Sequence, residues 1–276
     1  ASIMFAIQPM IGKMLLPIVG GTPAGWIVAM AFFQMMLLVG YFVAHVLSKT
    51  GKITQGIVYL ALLALGISFM PLDLQSHISH ISANPGAIDI FLLLTFAVAV
   101  PFVALSATSS TIQRLFTASD HPYAHDPYFL YAASNLGSFS GLLLYPLVAE
   151  PLWGLQAQAQ YLFALYIGLL SFALLCILVS AKKSNKEKAA PAATPVAAPP
   201  ETVPPTESGK APGAKKWLTW LFLSFVPSGL LMAVTVYITT DIISAPMIWV
   251  LPLALYLMTF VIAFARKPVI SQKVIE

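Results

Sequence analysis

Charge is what this chain has least of. Only 9% of its 276 residues are Asp, Glu, Lys or Arg, where a soluble domain carries about 25%. So few charges cannot cover the surface of a soluble protein of this size, and that class is excluded. Cysteine is nearly absent. Cys176, the single one, lies inside an apolar run and reads as a small buried residue. It allows no intramolecular disulfide and no cysteine metal site. No Gly-rich phosphate loop, H-E-x-x-H pair or Ser-His-Asp series occurs. The net charge of +4 does not argue for nucleic acid, because half of the cations crowd one segment. Attraction to anionic lipid headgroups accounts for them.

What is present is apolar. The chain is 59% hydrophobic with a mean hydropathy of +0.86. Eight apolar stretches cover about 1–19, 23–47, 54–71, 87–110, 127–149, 158–181, 217–238 and 246–265. A spanning helix needs roughly 20 such residues. The expected fold class is therefore all-α, a polytopic membrane bundle of about eight transmembrane helices. Thr22-Pro23 and Asp126-Pro127 read as an N-cap followed by proline at the first helical position. Pro71 closes the third stretch, and Pro101 interrupts the fourth. Segment 182–215 is rich in Ala, Pro, Lys and Glu without an aromatic residue, the composition of a disordered linker. It divides a six-helix part, 1–181, from a two-helix part with a short tail, 216–276. The chain opens at Ala1 inside an apolar stretch, without the basic start of a signal peptide. A longer natural chain, beginning upstream, is expected.

The cations are distributed unevenly. Of the 14 Lys and Arg residues, all but Lys13 fall in alternate breaks. Lys49 and Lys52 follow the second stretch and Arg114 the fourth. Lys182, Lys183, Lys186, Lys188, Lys210, Lys215 and Lys216 follow the sixth. Arg266, Lys267 and Lys273 follow the last. Positive loops stay cytoplasmic. The expectation is a multi-pass protein of a bacterial inner membrane, with the linker and both termini in the cytoplasm.

Ionisable groups at membrane depth are costly and mark function by default. Lys13, Asp89, Glu150 and Asp241 all fall toward the outer side. Lys13 needs a partner, and Glu150 or Asp241 stands at a compatible height. Three readings are open: an ion pair that locks the first helix, a substrate or proton site, or a lysine snorkelling outward. Gln8, Gln34, Asn135, Thr235 and Thr239 either hydrogen-bond between helices or line a cavity with Lys13. Prolines 9, 17, 101, 146, 227 and 252 kink or break their helices, either for packing or to expose backbone where a substrate binds. Ala133, Gly137 and Gly141, with Ser134 and Ser138 beside them, form a small-residue stripe that lets backbones approach. It suits tight packing, a sliding surface or the docking of other membrane subunits. Asp120-His121 with His125-Asp126, and His77 with His80, are the only candidate metal ligands. Solvated loops are the default for both, so no metal and no cofactor is expected.

Several blocks are recognisable. Gln8-Pro9-Met10-Ile11-Gly12-Lys13-Met14-Leu15-Leu16-Pro17, followed by Gly20-Gly21-Thr22-Pro23-Ala24, resembles the opening of the fused major-facilitator/spermidine-synthase family. Ile112-Gln113-Arg114, His121-Pro122 and the run from Asp126 to Ser138 resemble its most distinctive block. Tyr145-Pro146 to Glu150-Pro151 extends that block, and Pro227-Ser228 to Asp241 with Pro246 to Tyr256 is also similar. The resemblance implies a major-facilitator-like membrane part joined to a cytoplasmic Rossmann-like domain similar to spermidine synthase. That second domain is missing from this chain, so no aminopropyl transfer is expected of it. The major-facilitator signature after the second helix is matched by Gly40 and the basic turn Lys49-Thr50-Gly51-Lys52. His45 stands near the place of its Asp, a departure that bears on the usual gating salt bridge. Eight spans also fall short of the facilitators' twelve.

The expected function is a transporter-like module for a small polar or cationic solute such as a polyamine. Two alternatives stand beside it. One is a non-catalytic accessory subunit of a larger membrane complex. The other is the membrane domain of an enzyme whose synthase-like half lies elsewhere.

Overall fold

The computed structural model describes residues 1–20, 23–80, 85–117, 128–189, 213–238, 241 and 250–263. They form helices, with no strand among them. The helices are α1 Ser2–Val19, α2 Pro23–Ser48, α3 Lys52–Ile67, α4 Ala87–Thr117, α5 Tyr128–Leu144, α6 Leu155–Ala189, α7 Ala214–Tyr237 and α8 Val250–Ala263. A 3₁₀ segment, Gln75–His80, lies before α4, and a π-turn, Tyr145–Ala149, carries α5 on to Glu150–Leu152.

Six of these helices are long and apolar enough to cross a membrane, with α5 counted through Leu152; α3 and α8 are shorter. This is the architecture of a multi-pass membrane protein. Three boundaries differ from the sequence expectation. α3 ends at Ile67 rather than near Pro71, because its last turn tightens. Ser68, Phe69 and Met70 donate to carbonyls three residues back, those of Leu65, Gly66 and Ile67. A residue before proline avoids helical geometry, and the Met70–Pro71 bond is cis. Pro101 does not interrupt α4, which runs through it to Thr117. α6 continues to Ala189, past the expected start of the linker at 182. The rest of that linker lies outside the described residues. So do Thr22, the His121 and His125 loop, Asp126-Pro127, Thr239 and the tail beyond Ala263.

α4 is the central helix. Of its best apolar window, 56% is buried, against 6% for α7. Its face from Ile90 through Phe102 to Thr111 packs on α2 and α3. Phe33 meets Phe102 with ring centroids 4.9 Å apart, and farther on Ser106 lies against Gly40. These contacts make α2 and α4 parallel. Tyr59 bonds Thr108, and farther along α3 Gly66 lies on Pro101, so α3 runs antiparallel to α4. Gly56 meets Ile177 and Gly66 meets Tyr166, which makes α3 antiparallel to α6. α1 packs along α5. Leu142 clusters with Val250, Ala254 and Leu257, while Tyr131 meets Phe260, so α8 returns antiparallel along α5.

Close approach sets the glycines. A Cβ on Gly40 would overlap Ser106 Oγ and lie 2.9 Å from the Val103 carbonyl oxygen. A Cβ on Gly141 would come within 2.8 Å of Ser2 Cα. Gly141 and Gly137 are thus occupied by the first turn of α1 in the same chain, where the Ser2 hydroxyl donates to the Gly137 carbonyl at 2.8 Å. Of the small-residue stripe, Ala133 alone is exposed.

Candidate functional site

α1 is apolar except at Gln8 and Lys13 among its long side chains. Its buried face runs Met4, Ile7, Met10, Ile11 and Leu15. Lys13 sits at the edge of that face, about 9 Å from the helix end at 1.5 Å per residue. Gly12, one position earlier, leaves room for the Trp26 ring of α2. With one side of α1 closed by that indole, the Lys13 side chain meets α5 and its extension.

The Lys13 Nζ lies 3.1 Å from Glu150 Oε1, and both side chains are 30% exposed. Ser2 against Gly141 at one end and Lys13 against Glu150 at the other make α1 and α5 parallel neighbours. An ammonium and a carboxylate brought together in a low-dielectric bundle offset part of each other's desolvation.

Glu150 reaches this position through an irregular turn. Its backbone N–H bonds the Tyr145 carbonyl, five residues back. Pro146 and Pro151 lack N–H groups, so regular α bonds cannot be made there. The π-turn adds a residue to the helical turn and resets the facing of the residues beyond it. Gln158, buried at the start of α6, bonds both ends of this turn. Its Oε1 accepts from the Tyr145 hydroxyl at 2.9 Å. Its Nε2 donates to the carbonyls of Trp153 at 2.7 Å and Ala149 at 3.3 Å.

The other expected site residues lie elsewhere. Gln8 is half-buried on α1, five residues from Lys13 and so about 140° away around a helix of 3.6 residues per turn. Asn135 donates to the Tyr131 carbonyl on its own helix at 2.9 Å, about 22 Å from Glu150 along the axis. Asp241 is exposed just beyond α7 and is no part of the Lys13 pair. Asp89 accepts from the Gly86 N–H at 2.9 Å and so caps α4. Among the described residues no group of three His, Cys, Asp or Glu could hold a metal ion. His77 Nδ1 is paired with the Ser76 hydroxyl at 2.7 Å.

A second polar zone lies at the opposite end of α4 and α5. Ser109 and Ser134 share a hydrogen bond of 3.1 Å, and Gln113 donates to Ser109 at 3.3 Å. Behind it, the Tyr59 hydroxyl donates to Thr108 at 2.9 Å and the Tyr166 hydroxyl to the Leu63 carbonyl at 3.0 Å. Gln55 Nε2 and Thr111 Oγ1 are buried there without a partner among the described residues.

Sequence reasoning missed Tyr145, Gln158, Tyr59 and Tyr166. One signal was available for the tyrosines: a phenol inside an apolar span needs a hydrogen-bond partner. Gln158 gave no such signal, because it stands at the expected edge of its span, among Gln156 and Gln160.

No protein-family model matches the chain, and neither a curated protein nor a solved structure matches it.

Proposed function

We propose that this chain is a membrane transport module for a small polar or cationic solute, of which a polyamine is the best candidate. The observation that carries the reading is the Lys13–Glu150 pair, set between two parallel helices of an otherwise apolar bundle. Lys13 supplies the primary ammonium that Glu150 holds at rest. A polyamine presents the same group on a flexible alkyl chain and exchanges for it. Lys13, released, extends toward the interface on its own aliphatic stem. α1 and α5 then lose their tie at that end while Ser109 and Ser134 keep α4 joined to α5 at the other. In this reading all eight helices span a bacterial inner membrane in a major-facilitator-like arrangement, with both termini cytoplasmic. The residues that resemble the fused major-facilitator/spermidine-synthase family include both members of the pair. The chain itself is read as non-catalytic.

The test is uptake of radiolabelled spermidine into proteoliposomes holding the full chain. Wild type is expected to accumulate label above empty liposomes. Glu150→Gln is expected to lose roughly tenfold or more, the equivalent of about 1.4 kcal/mol of binding. No uptake by wild type, or full uptake by Glu150→Gln, would count against the reading.

A second reading rests on α7. Nearly its whole length is exposed, Trp217, Leu221, Phe225 and Leu230 included. An accessory subunit of a larger membrane complex would cover that face with protein rather than lipid. Native mass spectrometry of the gently extracted protein separates the two: additional subunits at fixed stoichiometry favour the accessory role.

A further inference from the structure

We infer that Gln158 is a positioning residue for the Lys13–Glu150 pair, acting through the π-turn that carries Glu150. The inference rests on reading that pair as the polar centre of the molecule. Three hydrogen bonds from one side-chain amide bracket the segment. The carbonyl oxygen of Gln158 takes the Tyr145 hydroxyl where the π-turn begins. The amide nitrogen takes the Ala149 carbonyl, immediately before Glu150, and the Trp153 carbonyl, where the helix breaks. Gln158 and Tyr145 are both buried, 4% and 3% exposed, so water does not compete for these bonds.

The geometry suits such a clamp. Pro146 and Pro151 withhold the donors that the Leu142 and Leu147 carbonyls would meet in a regular helix. The Ala149 carbonyl takes the Trp153 N–H at 3.1 Å and Gln158 as a second donor, and the Trp153 carbonyl, at the break, takes Gln158. A break inside an apolar bundle is tolerated where side chains, neighbouring helices or a local π adjustment meet the freed groups, and here a π-turn and a side-chain amide act on the same segment. A regular α-turn in place of the π-turn would rotate Glu150 around its axis by roughly 100°, one residue's worth of helical twist. The carboxylate would then leave the face that meets α1. Gln158 belongs to α6, so a helix that holds neither charge sets where one of them points. A glutamine is suited to this because it alone among uncharged side chains of that length both accepts and donates.

The experiment compares double-mutant cycles by thermal unfolding of the full chain in lipid nanodiscs. Lys13→Met, Glu150→Gln and the double variant are made in three backgrounds: wild type, Gln158→Leu and Tyr145→Phe. The wild-type background is expected to show non-additive Tm shifts, the double variant recovering part of what the single ones lose. That non-additivity should vanish with Gln158→Leu and shrink with Tyr145→Phe. The latter removes one hydroxyl and keeps the ring, so it folds even where Gln158→Leu does not. A control cycle of Tyr59→Phe with Thr108→Val should be equal in all backgrounds. If Gln158→Leu or Tyr145→Phe lowers Tm yet leaves the Lys13–Glu150 coupling intact, Gln158 is merely structural and the inference is overturned. Absence of coupling in wild type also overturns it. Spermidine uptake is read separately on the same proteins. A chain that keeps Gln158-dependent coupling but takes up no spermidine in any background refutes transport alone.

Discussion

Thr108 and Thr111 differ by three positions and two hydrogen bonds. Both are buried on α4, 6% and 1% exposed. Thr108 accepts from Tyr59 and donates to the Ala104 carbonyl, whereas Thr111 Oγ1 has no partner among the described residues. The asymmetry of hydrogen-bond energetics decides what their removal does. Thr108→Val strands a buried phenol and should cost about 1–3 kcal/mol. Thr111→Val deletes a hydroxyl that gains nothing from burial, so it should be neutral or raise Tm. Thermal unfolding of the two variants side by side checks this; equal losses would show that Thr111 has a partner in the membrane. The run from Ser106 to Thr111 is rich in hydroxyls, and nothing in the sequence tells them apart. Which hydroxyl is paired depends on the helix opposite, and that is not written locally. The same holds for Lys13. Its need for a carboxylate was legible from the cost of a lone charge, but the choice of Glu150 over Asp241 depended on which helices lie side by side.

At the level of the helix, glycine spacing and proline placement gave different quality of information. Gly137 and Gly141 announced a close approach, and the structure supplies the neighbour as α1. Gly40 made no stripe, yet it is as crowded. Gly40→Val should therefore push α2 from α4 and cost about 1–3 kcal/mol or more, the range of overpacked cores. Gly229 and Gly168 have nothing within 4 Å of a built Cβ. Their alanine variants should be neutral or stabilising by up to about 1 kcal/mol, the helix-propensity gain over glycine. Urea or thermal melts in one detergent check all three, and a destabilising Gly229→Ala would mean that α7 docks on another protein. Proline was less informative. Pro146 does mark an irregular turn, but α3 ends at Ile67, four residues before Pro71, and Pro101 passes through α4 unbroken. A proline removes one donor and leaves open how neighbours compensate. At Pro101 the helix runs on with Gly66 of α3 close against it; at Pro146 the chain takes a π-turn, held by Gln158.

Across the whole molecule, helix directions and charge agree without having been derived from one another. α2 and α4 are parallel, so Lys49 and Arg114 lie at the same end of the bundle. α3 is antiparallel to α4, which brings its first residue, Lys52, to that end as well. α6 is antiparallel to α3 and carries Lys182, Lys183, Lys186 and Lys188 there at its close. α1 is joined to the start of α2 by a short connection and ends at the opposite face, where Glu150 also lies. The basic ends thus share one face, and the ion pair lies toward the other. Apolar length alone was enough to find the helices, because a continuous apolar run of about 20 residues satisfies its backbone polar groups in lipid by coiling into a helix. It could not say which helices are neighbours, since lipid-facing and helix-facing side chains here are for the most part equally apolar. Loops rich in Lys and Arg remain on the cytoplasmic side, so the basic face should be cytoplasmic. Reporter fusions at Asn84 and at Lys188 check this. Alkaline phosphatase should be active at Asn84 and silent at Lys188, and a cytoplasmic reporter should give the reverse. Lys188 lies at the basic end of α6, and Asn84 precedes α4, whose far end carries Arg114. The two sites are therefore expected on opposite sides. Equal signals at both would overturn the alternation of sides, and swapped signals would invert the molecule and place Glu150 toward the cytoplasm.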